Sequence, residues 1–317
     1  MITFSSQMKE ELTRIQPQGR ESELALMSGL IKSAGTVYFA RGAGVKILTE
    51  LASVARLAHT ILKSPLGLKP RLNSRLSSSF SKRNLYEVEA DDALEALVEM
   101  GLIDRSESGY SFPDEIPTAY HGETFRYYIR GLFLGAGSVT TPEKGYHLEI
   151  VFKSPSFAQQ VADRANRLFD VGAKLVARKN DTVFYIKESD KIVDFLNVVG
   201  AYQSLLAYEN VRVMRYVRNN ANRGVNCDTA NIEKATEAAN AQIEAIALLE
   251  AHGWLRRQSE KLIEIAELRK QNPLSSLTEL GEMLDPPVTK SGVNHRMKKI
   301  QKLAEELRGK QNETVKK

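Results

Sequence analysis

Two periodicities alternate along the first two thirds of the chain. Period-two alternation rich in β-branched and aromatic residues, as in Thr182-Val-Phe-Tyr-Ile186, predicts strands. Helical spacing, as in Leu94, Leu97 and Val98 or in Ile192, Phe195 and Leu196, predicts helices, which close before Gly101 and Gly200. In order, the pattern predicts a strand pair over Thr36–Thr49, a helix over Leu51–Lys63, strands over Leu68–Leu76 and Leu85–Ala90, and a helix over Asp91–Met100. The same order then returns. It runs through a strand pair over Ser138–Lys153, a helix over Ser156–Phe169, strands over Ala173–Arg178 and Thr182–Lys187, and a helix over Asp190–Val199. Hairpin loops are expected at Arg75–Arg83 and around Pro142–Gly145, where basic and polar residues collect.

Each series is headed by a similar string, Ser28-Gly-Leu-Ile-Lys-Ser-Ala-Gly35 and Arg130-Gly-Leu-Phe-Leu-Gly-Ala-Gly137. Both glycines recur at one offset, since 131 minus 29 and 137 minus 35 are both 102. Each half therefore reads αββαββα, an internal duplication. Glycines six apart on an apolar helix suit two backbones pressed together. Gly29 and Gly131 would remove a side chain from the contact, while Gly35 and Gly137 are expected to supply a left-handed C-cap. The two helices are expected to pair as a pseudo-twofold seam.

Beyond Leu206 the pattern changes. Arg212, Arg215, Arg218 and Arg223 form a basic run that an Asn-rich stretch is expected to break, a hinge whose arginines are candidate phosphate contacts. Helices are predicted over Ile232–His252, ended by Gly253, and over Leu255–Lys270. Ser276-Leu-Thr-Glu279 is a capping box that opens a short helix over Leu277–Leu284, and Asp285-Pro-Pro287 stops it. A last helix begins near Ser291. Val293, Met297, Ile300, Ala304 and Leu307 line its apolar side, with Ser291, His295, Lys298 and Lys302 opposite and Asn294 and Lys299 flanking. A short helix, a turn and a longer helix with a cationic outer face is the helix-turn-helix plan, whose second helix enters the major groove. Small Gly281 is expected where the two helices come closest. The candidate DNA-contacting residues lie within Ser275–Arg308: Ser276, Thr278, Thr289, Lys290, Ser291, Asn294, His295, Arg296, Lys298, Lys299 and Lys302.

Composition sharpens this placement. The chain of 317 residues carries 44 Lys+Arg against 39 Asp+Glu, a formal +5. From Val288 onward the count is nine against three, so more than the whole net charge sits at that end. No stretch reaches the ~20 apolar residues of a membrane span, and the start lacks the order of a signal peptide, so a cytoplasmic, nucleoid-associated protein is expected. The single cysteine, Cys227, has no partner for a disulfide and no metal-ligand set beside it, and is read as an inert thiol.

Met27–Gly35 and Ile129–Gly137 resemble the two LAGLIDADG motifs of monomeric homing endonucleases, whose fold is the αββαββα repeat, over roughly residues 23–203. In that family the acid before the final glycine of each motif holds the catalytic divalent metal. Here those positions are Ala34 and Ala136, and a methyl group cannot bind a cation. The resemblance thus implies the scaffold without the nuclease chemistry: no catalytic residue, no metal and no cofactor. Asp91, Asp92, Glu143 and Asp190 are the carboxylates that could stand in, but Asp91 and Asp190 open helices, the ordinary preference of Asp.

Longer strings resemble the WhiA family, bacterial regulators that join a degenerate LAGLIDADG domain to a C-terminal helix-turn-helix. These are Phe4-Ser-Ser-Gln-Met-Lys-Glu-Glu-Leu12, Asn222-Arg-Gly-Val-Asn-Cys-Asp-Thr-Ala-Asn231, Ser276-Leu-Thr-Glu-Leu-Gly281 and Gly292-Val-Asn-His-Arg-Met297. The expected fold is an α+β N-terminal domain of two αββαββα repeats followed by an all-α helix-turn-helix domain. The expected division is an N-terminal helical segment (1–22), the LAGLIDADG-like domain (23–206, repeats about 23–104 and 124–203), a basic linker (207–228) and the helix-turn-helix domain (229–317). The resemblance implies a double-stranded-DNA-binding regulator of transcription, cell division, chromosome segregation and sporulation. Two alternatives stay open at this point: a metal-dependent endonuclease with relocated acids, and a scaffold that binds a transcription or cell-division protein through the LAGLIDADG-like domain.

Overall fold

The structure, a computed structural model, describes residues 3–39, 42–76, 84–107 and 109–315, with side chains to residue 310. The chain divides into two compact units, Met1–Arg215 and Tyr216–Lys317.

The first unit opens with α1 (Phe4–Leu12), capped by the Thr3 hydroxyl and anchored by buried Met8 and Leu12. The first half then comprises α2 (Arg20–Ala34), β1 (Gly35–Phe39), β2 (Ala43–Thr49), α3 (Ala52–Lys63), β3 (Arg71–Leu76), β4 (Asn84–Ala90) and α4 (Leu94–Glu99). A small hairpin that periodicity did not announce, β5 (Asp104–Ser106) and β6 (Gly109–Ser111), separates it from the second half. That half comprises α5 (Gly122–Ala136), β7 (Gly137–Val139), β8 (Leu148–Phe152), α6 (Pro155–Phe169), β9 (Lys174–Arg178), β10 (Asp181–Ile186) and α7 (Ser189–Val199). The two sheets have the same antiparallel order, β1-β2-β4-β3 and β7-β8-β10-β9, so the duplication seen in the sequence is a duplication of topology. The loop expected at Arg75–Arg83 falls largely on 77–83, outside the described residues.

The core follows from the alternation. Val45 and Ile47 on β2, Val88 and Ala90 on β4, Ile150 and Phe152 on β8, and Phe184 and Ile186 on β10 all point inward from their sheets. Helices α3 and α6 lay Ala55, Ala58 and Leu62, or Ala158, Val161 and Ala165, over them.

Between the sheets, α2 and α5 meet backbone to backbone. A Cβ at Gly29 would stand 2.2 Å from the Tyr128 carbonyl oxygen, and one at Gly131 2.1 Å from that of Leu26. The neighbouring position does matching work in each half. Ser28 Oγ donates to the Met100 carbonyl at 3.0 Å, and Arg130 Nε donates to the Val199 carbonyl at 2.7 Å. Each ties a motif helix to the last carbonyl before the left-handed glycine, Gly101 or Gly200, that ends the closing helix of its half.

Three local expectations are corrected here, and a fourth falls in the second unit. Gly35 and Gly137 are extended, with φ of −96° and −84°, not left-handed. The chain runs straight from helix into strand there, and a Cβ would collide with the preceding helical turn, 2.7 Å from the Ile31 carbonyl or 2.3 Å from the Phe133 ring. Asp91 does not open a helix. It accepts a hydrogen bond from Tyr38 at 2.7 Å and pairs with Arg71 at 2.9 Å, and α4 begins only at Leu94. Asp190, by contrast, does lie in the first turn of α7.

The third correction concerns the basic run. The Asn-rich stretch does not break it, because α8 is one helix from Tyr202 to Ala251. Both ends of α8 are anchored: Glu11 caps Gln203 and Ser204 at 2.7 and 2.9 Å, Tyr208 is buried in the first unit, and Ile246 and Leu249 are buried in the second. Asparagine costs no more than about 0.7 kcal/mol per residue against alanine, too little to stop cooperative propagation between anchored ends.

In the second unit a 3-10 turn (Leu255–Arg257) precedes α9 (Glu260–Gln271), α10 (Leu277–Glu282) and α11 (Lys290–Val315). The helix predicted from Leu255 is thus split at Gln258 and Ser259. Its core is Ile246 and Leu249 of α8, Leu262, Ile265 and Ala266 of α9, Leu280 and Leu284, and the stripe Val293, Met297, Ile300, Ala304 and Leu307 on α11.

Candidate nucleic-acid interface

The pair α10 and α11 is built from local rules that the sequence carries. Ser276 Oγ accepts from the Glu279 amide at 3.2 Å, and the Glu279 carboxylate accepts from the Ser276 amide at 2.7 Å. These bonds hold Glu279 below the usual carboxylate range. Asp285, Pro286 and Pro287 end the short helix, and Thr289 restarts the chain, its hydroxyl accepting from the Gly292 amide at 3.3 Å. A Cβ at Gly281 would stand 2.1 Å from the carbonyl oxygen of Val288 in the turn and 3.2 Å from the Val293 side chain of α11, so the closest approach that requires glycine is to the turn rather than to the second helix.

One determinant escaped the sequence reading. Arg269 of α9 is 2% exposed, and its Nη1 donates to the carbonyls of Ser275 at 2.6 Å, Pro273 at 3.3 Å and Asn272 at 3.4 Å. Burial pushes its guanidinium pKa down, yet the charge is kept because it gathers the carbonyls that lead into α10. The signal was present: Arg269 follows Leu262, Ile265 and Ala266 on the apolar side of its helix.

On α11 the stripe Val293, Met297 and Ile300 is buried, and Lys290, Ser291, His295, Lys298, Lys299 and Lys302 are exposed, with Asn294 and Arg296 half-buried. Ser276, Thr278 and Thr289 are also exposed, near the starts of the two helices. No acid occurs between Asp285 and Glu305, so the face is uniformly cationic over the first four turns of α11. The arginines of α8 differ among themselves. Arg212 pairs with Asp190 and Glu209, and Arg215 donates to the Pro142 carbonyl at 2.6 Å and lies over the Tyr146 ring, whereas Arg218 and Arg223 are exposed.

At the other candidate centre, the C-terminal ends of α2 and α5 do converge. A Cβ at Gly135 would lie 3.1 Å from that of Ala34 and 2.0 Å from Ser33 Oγ. The side chains offered there are those of Ser33, Ala34 and Ala136, without a carboxylate. Among the described residues no group of three or more His, Cys, Asp or Glu could hold a metal ion, and no helix is long and apolar enough to cross a membrane.

Two αββαββα halves joined at glycine-paired motif helices, followed by a capped short helix, a proline turn and a basic helix, define a LAGLIDADG-like scaffold with a helix-turn-helix domain. Three family descriptions match in chain order: the WhiA N-terminal LAGLIDADG-like domain over residues 20–103, the WhiA LAGLIDADG-like domain over 125–218, and the WhiA C-terminal HTH domain over 221–304. The chain belongs to the WhiA family. It is 42% identical over 320 residues to a protein of Clostridium beijerinckii named "Probable cell division protein WhiA", covering 97% of this chain and 99% of the relative. A protein of the same name from Clostridium novyi is 41% identical over 316 residues, with the same coverage. The solved structure of full-length DUF199/WhiA from Thermatoga maritima superposes with a TM-score of 0.61 at 26% identity, covering 96% of this chain and 98% of that one.

Proposed function

We propose that this chain is a non-enzymatic, double-stranded-DNA-binding regulator of transcription that serves cell division, chromosome segregation and sporulation-type development, in the cytoplasm on the nucleoid. The observation that carries the reading is the cationic outer face of α11 set against a capped α10. The names of the relatives support the link to cell division. In this geometry the first turns of a recognition helix reach base edges while later cations meet phosphates. Asn294 lies in those first turns, and its amide can pair with adenine N6 and N7. Asn294→Ala is therefore expected to cost about 1–3 kcal/mol at the preferred site and far less on random duplex. Equal losses on both would remove Asn294 from base reading.

Nuclease chemistry is absent from the proposal because Ala34 and Ala136 stand where metal-binding acids would be required. Ala34→Asp with Ala136→Asp should place two carboxylates at the converging helix ends and create weak Ca²⁺ binding, on the order of millimolar, in calorimetric titration. A silent titration would show that carboxylates at these two positions do not make a cation site.

The LAGLIDADG-like domain is proposed to act as a scaffold for another transcription or cell-division protein. On its first sheet, Lys46 pairs with Glu87 and Glu89 at 3.5 and 3.7 Å, and Arg71 with Glu89 and Asp91 at 3.5 and 2.9 Å. Cations already matched to carboxylates have little left for phosphate.

A further inference from the structure

The middle of α8 presents a surface that neither fold nor stability requires. Every residue from Tyr216 to Ala238 is exposed. A solvated helix is ordinarily made of strong helix formers laced with opposite charges three and four apart. Here the chain instead spends five asparagines, at positions 219, 220, 222, 226 and 231, together with Gly224 and Thr229, all weaker helix formers than alanine. Between Asn210 and Cys227 there are four arginines and no acid, and Arg218 and Arg223 are the two whose side chains stand in solvent.

Three of these asparagines and both exposed arginines share one side of the cylinder. At 3.6 residues per turn, Arg218, Asn222 and Asn226 form one line along the helix, and Asn219 and Arg223 form a second line beside it. The other side carries Val217, Ala221 and Gly224, with Asn220 at its border. Arg223 also donates to the Asn220 side chain, which fixes one edge of the array. Primary amides and guanidinium groups on one helix face are the groups that pair in two bonds with adenine N6 and N7 and with guanine O6 and N7. A major groove about 12 Å wide admits such a helix.

We infer that the exposed span of α8 around Arg218, Asn219, Asn222, Arg223 and Asn226 is a second base-reading element that enters the major groove of double-stranded DNA. The inference rests on the DNA-binding reading above and adds a sequence-specific contact outside the α10–α11 pair. Guanidinium groups at 218 and 223 supply charge and guanine contacts, and the amides at 222 and 226 supply adenine contacts.

The test uses the full chain, a duplex that the wild type enriches from a random library, and a random duplex. Asn222→Ala with Asn226→Ala should lower the preferred-to-random affinity ratio at least tenfold while leaving random-duplex affinity within about twofold. The helix survives this change, because alanine is the better helix former. Replacing adenines of the enriched duplex by 7-deazaadenine should weaken the wild type at positions where the double variant shows no further loss. Val217→Ala, exposed on the opposite side, should leave the ratio unchanged. An unchanged ratio in the double variant, with the wild type still binding and Lys298→Ala still weakening it, overturns this inference alone. A wild type that binds no duplex, or binds without preference, overturns it together with the reading on which it rests.

Discussion

Gly131→Ala is expected to destabilise the first unit by about 3 kcal/mol or more, the upper end of overpacking, although it adds a single methyl group. The new Cβ would stand 2.1 Å from the Leu26 carbonyl oxygen and 2.8 Å from the Leu30 amide nitrogen. Both are backbone atoms of a buried helix, so no side chain can swing aside, and α2 and α5 must separate along their whole contact. Gly29→Ala should behave alike, because its Cβ meets the Tyr128 carbonyl at 2.2 Å. The same exchange at Gly224, exposed on α8 with no atom within 4 Å of its Cβ position, should instead stabilise by about 0.5–1 kcal/mol. Denaturant unfolding of the three variants checks the sign at each position, and a tolerated Gly131→Ala would refute the close seam.

The second large effect is expected on α11. Lys298 and Lys302 are one turn apart on the exposed side, opposite the buried Met297 and Ile300. Lys298→Ala with Lys302→Ala should reduce affinity for every duplex by about tenfold or more at moderate salt, each removing roughly one unit from the salt slope. Sequence preference should survive, since phosphate contacts position the protein but carry no base information. Arg212→Ala offers a contrast in the same assay. Its guanidinium is already engaged by Asp190 and Glu209, so its loss should change affinity little. If the lysine pair leaves random-duplex affinity intact, the DNA-facing element lies elsewhere, and exposed Arg218 and Arg223 become the principal phosphate contacts.

What the sequence showed was what local rules determine. The duplicated glycine strings announced the seam because a missing side chain is visible in a sequence whatever surrounds it. Strands β2, β4, β8 and β10 were legible because one face of each lies in the core, which forces alternation. The capping box at Ser276 and Glu279 was legible because its partners are three residues apart. Errors came where packing contacts, near or distant, overrode local propensity. Asp91 looked like a helix opener until Tyr38 and Arg71 claimed its carboxylate from across the sheet. Gly35 and Gly137 looked like left-handed caps, whereas the requirement is steric and comes from the turn before them. The Asn-rich run looked like a break because propensity was weighed without Glu11 at one end of α8 and Ile246 at the other. The hairpin β5 and β6 is three residues per strand and fully exposed, too short for period two to register.

The placement of DNA on α11 is tested most directly by the salt dependence of full-chain binding to random duplex, measured between about 50 and 200 mM monovalent salt. Exposed Lys290, Lys298, Lys299 and Lys302 are the cations that the face offers to phosphate. Four such contacts predict that log K falls linearly with log salt at a slope of roughly −3 to −4, and that Lys298→Ala with Lys302→Ala flattens it by about two units. A slope near zero in the wild type, or one that the two substitutions leave unchanged, would contradict the account.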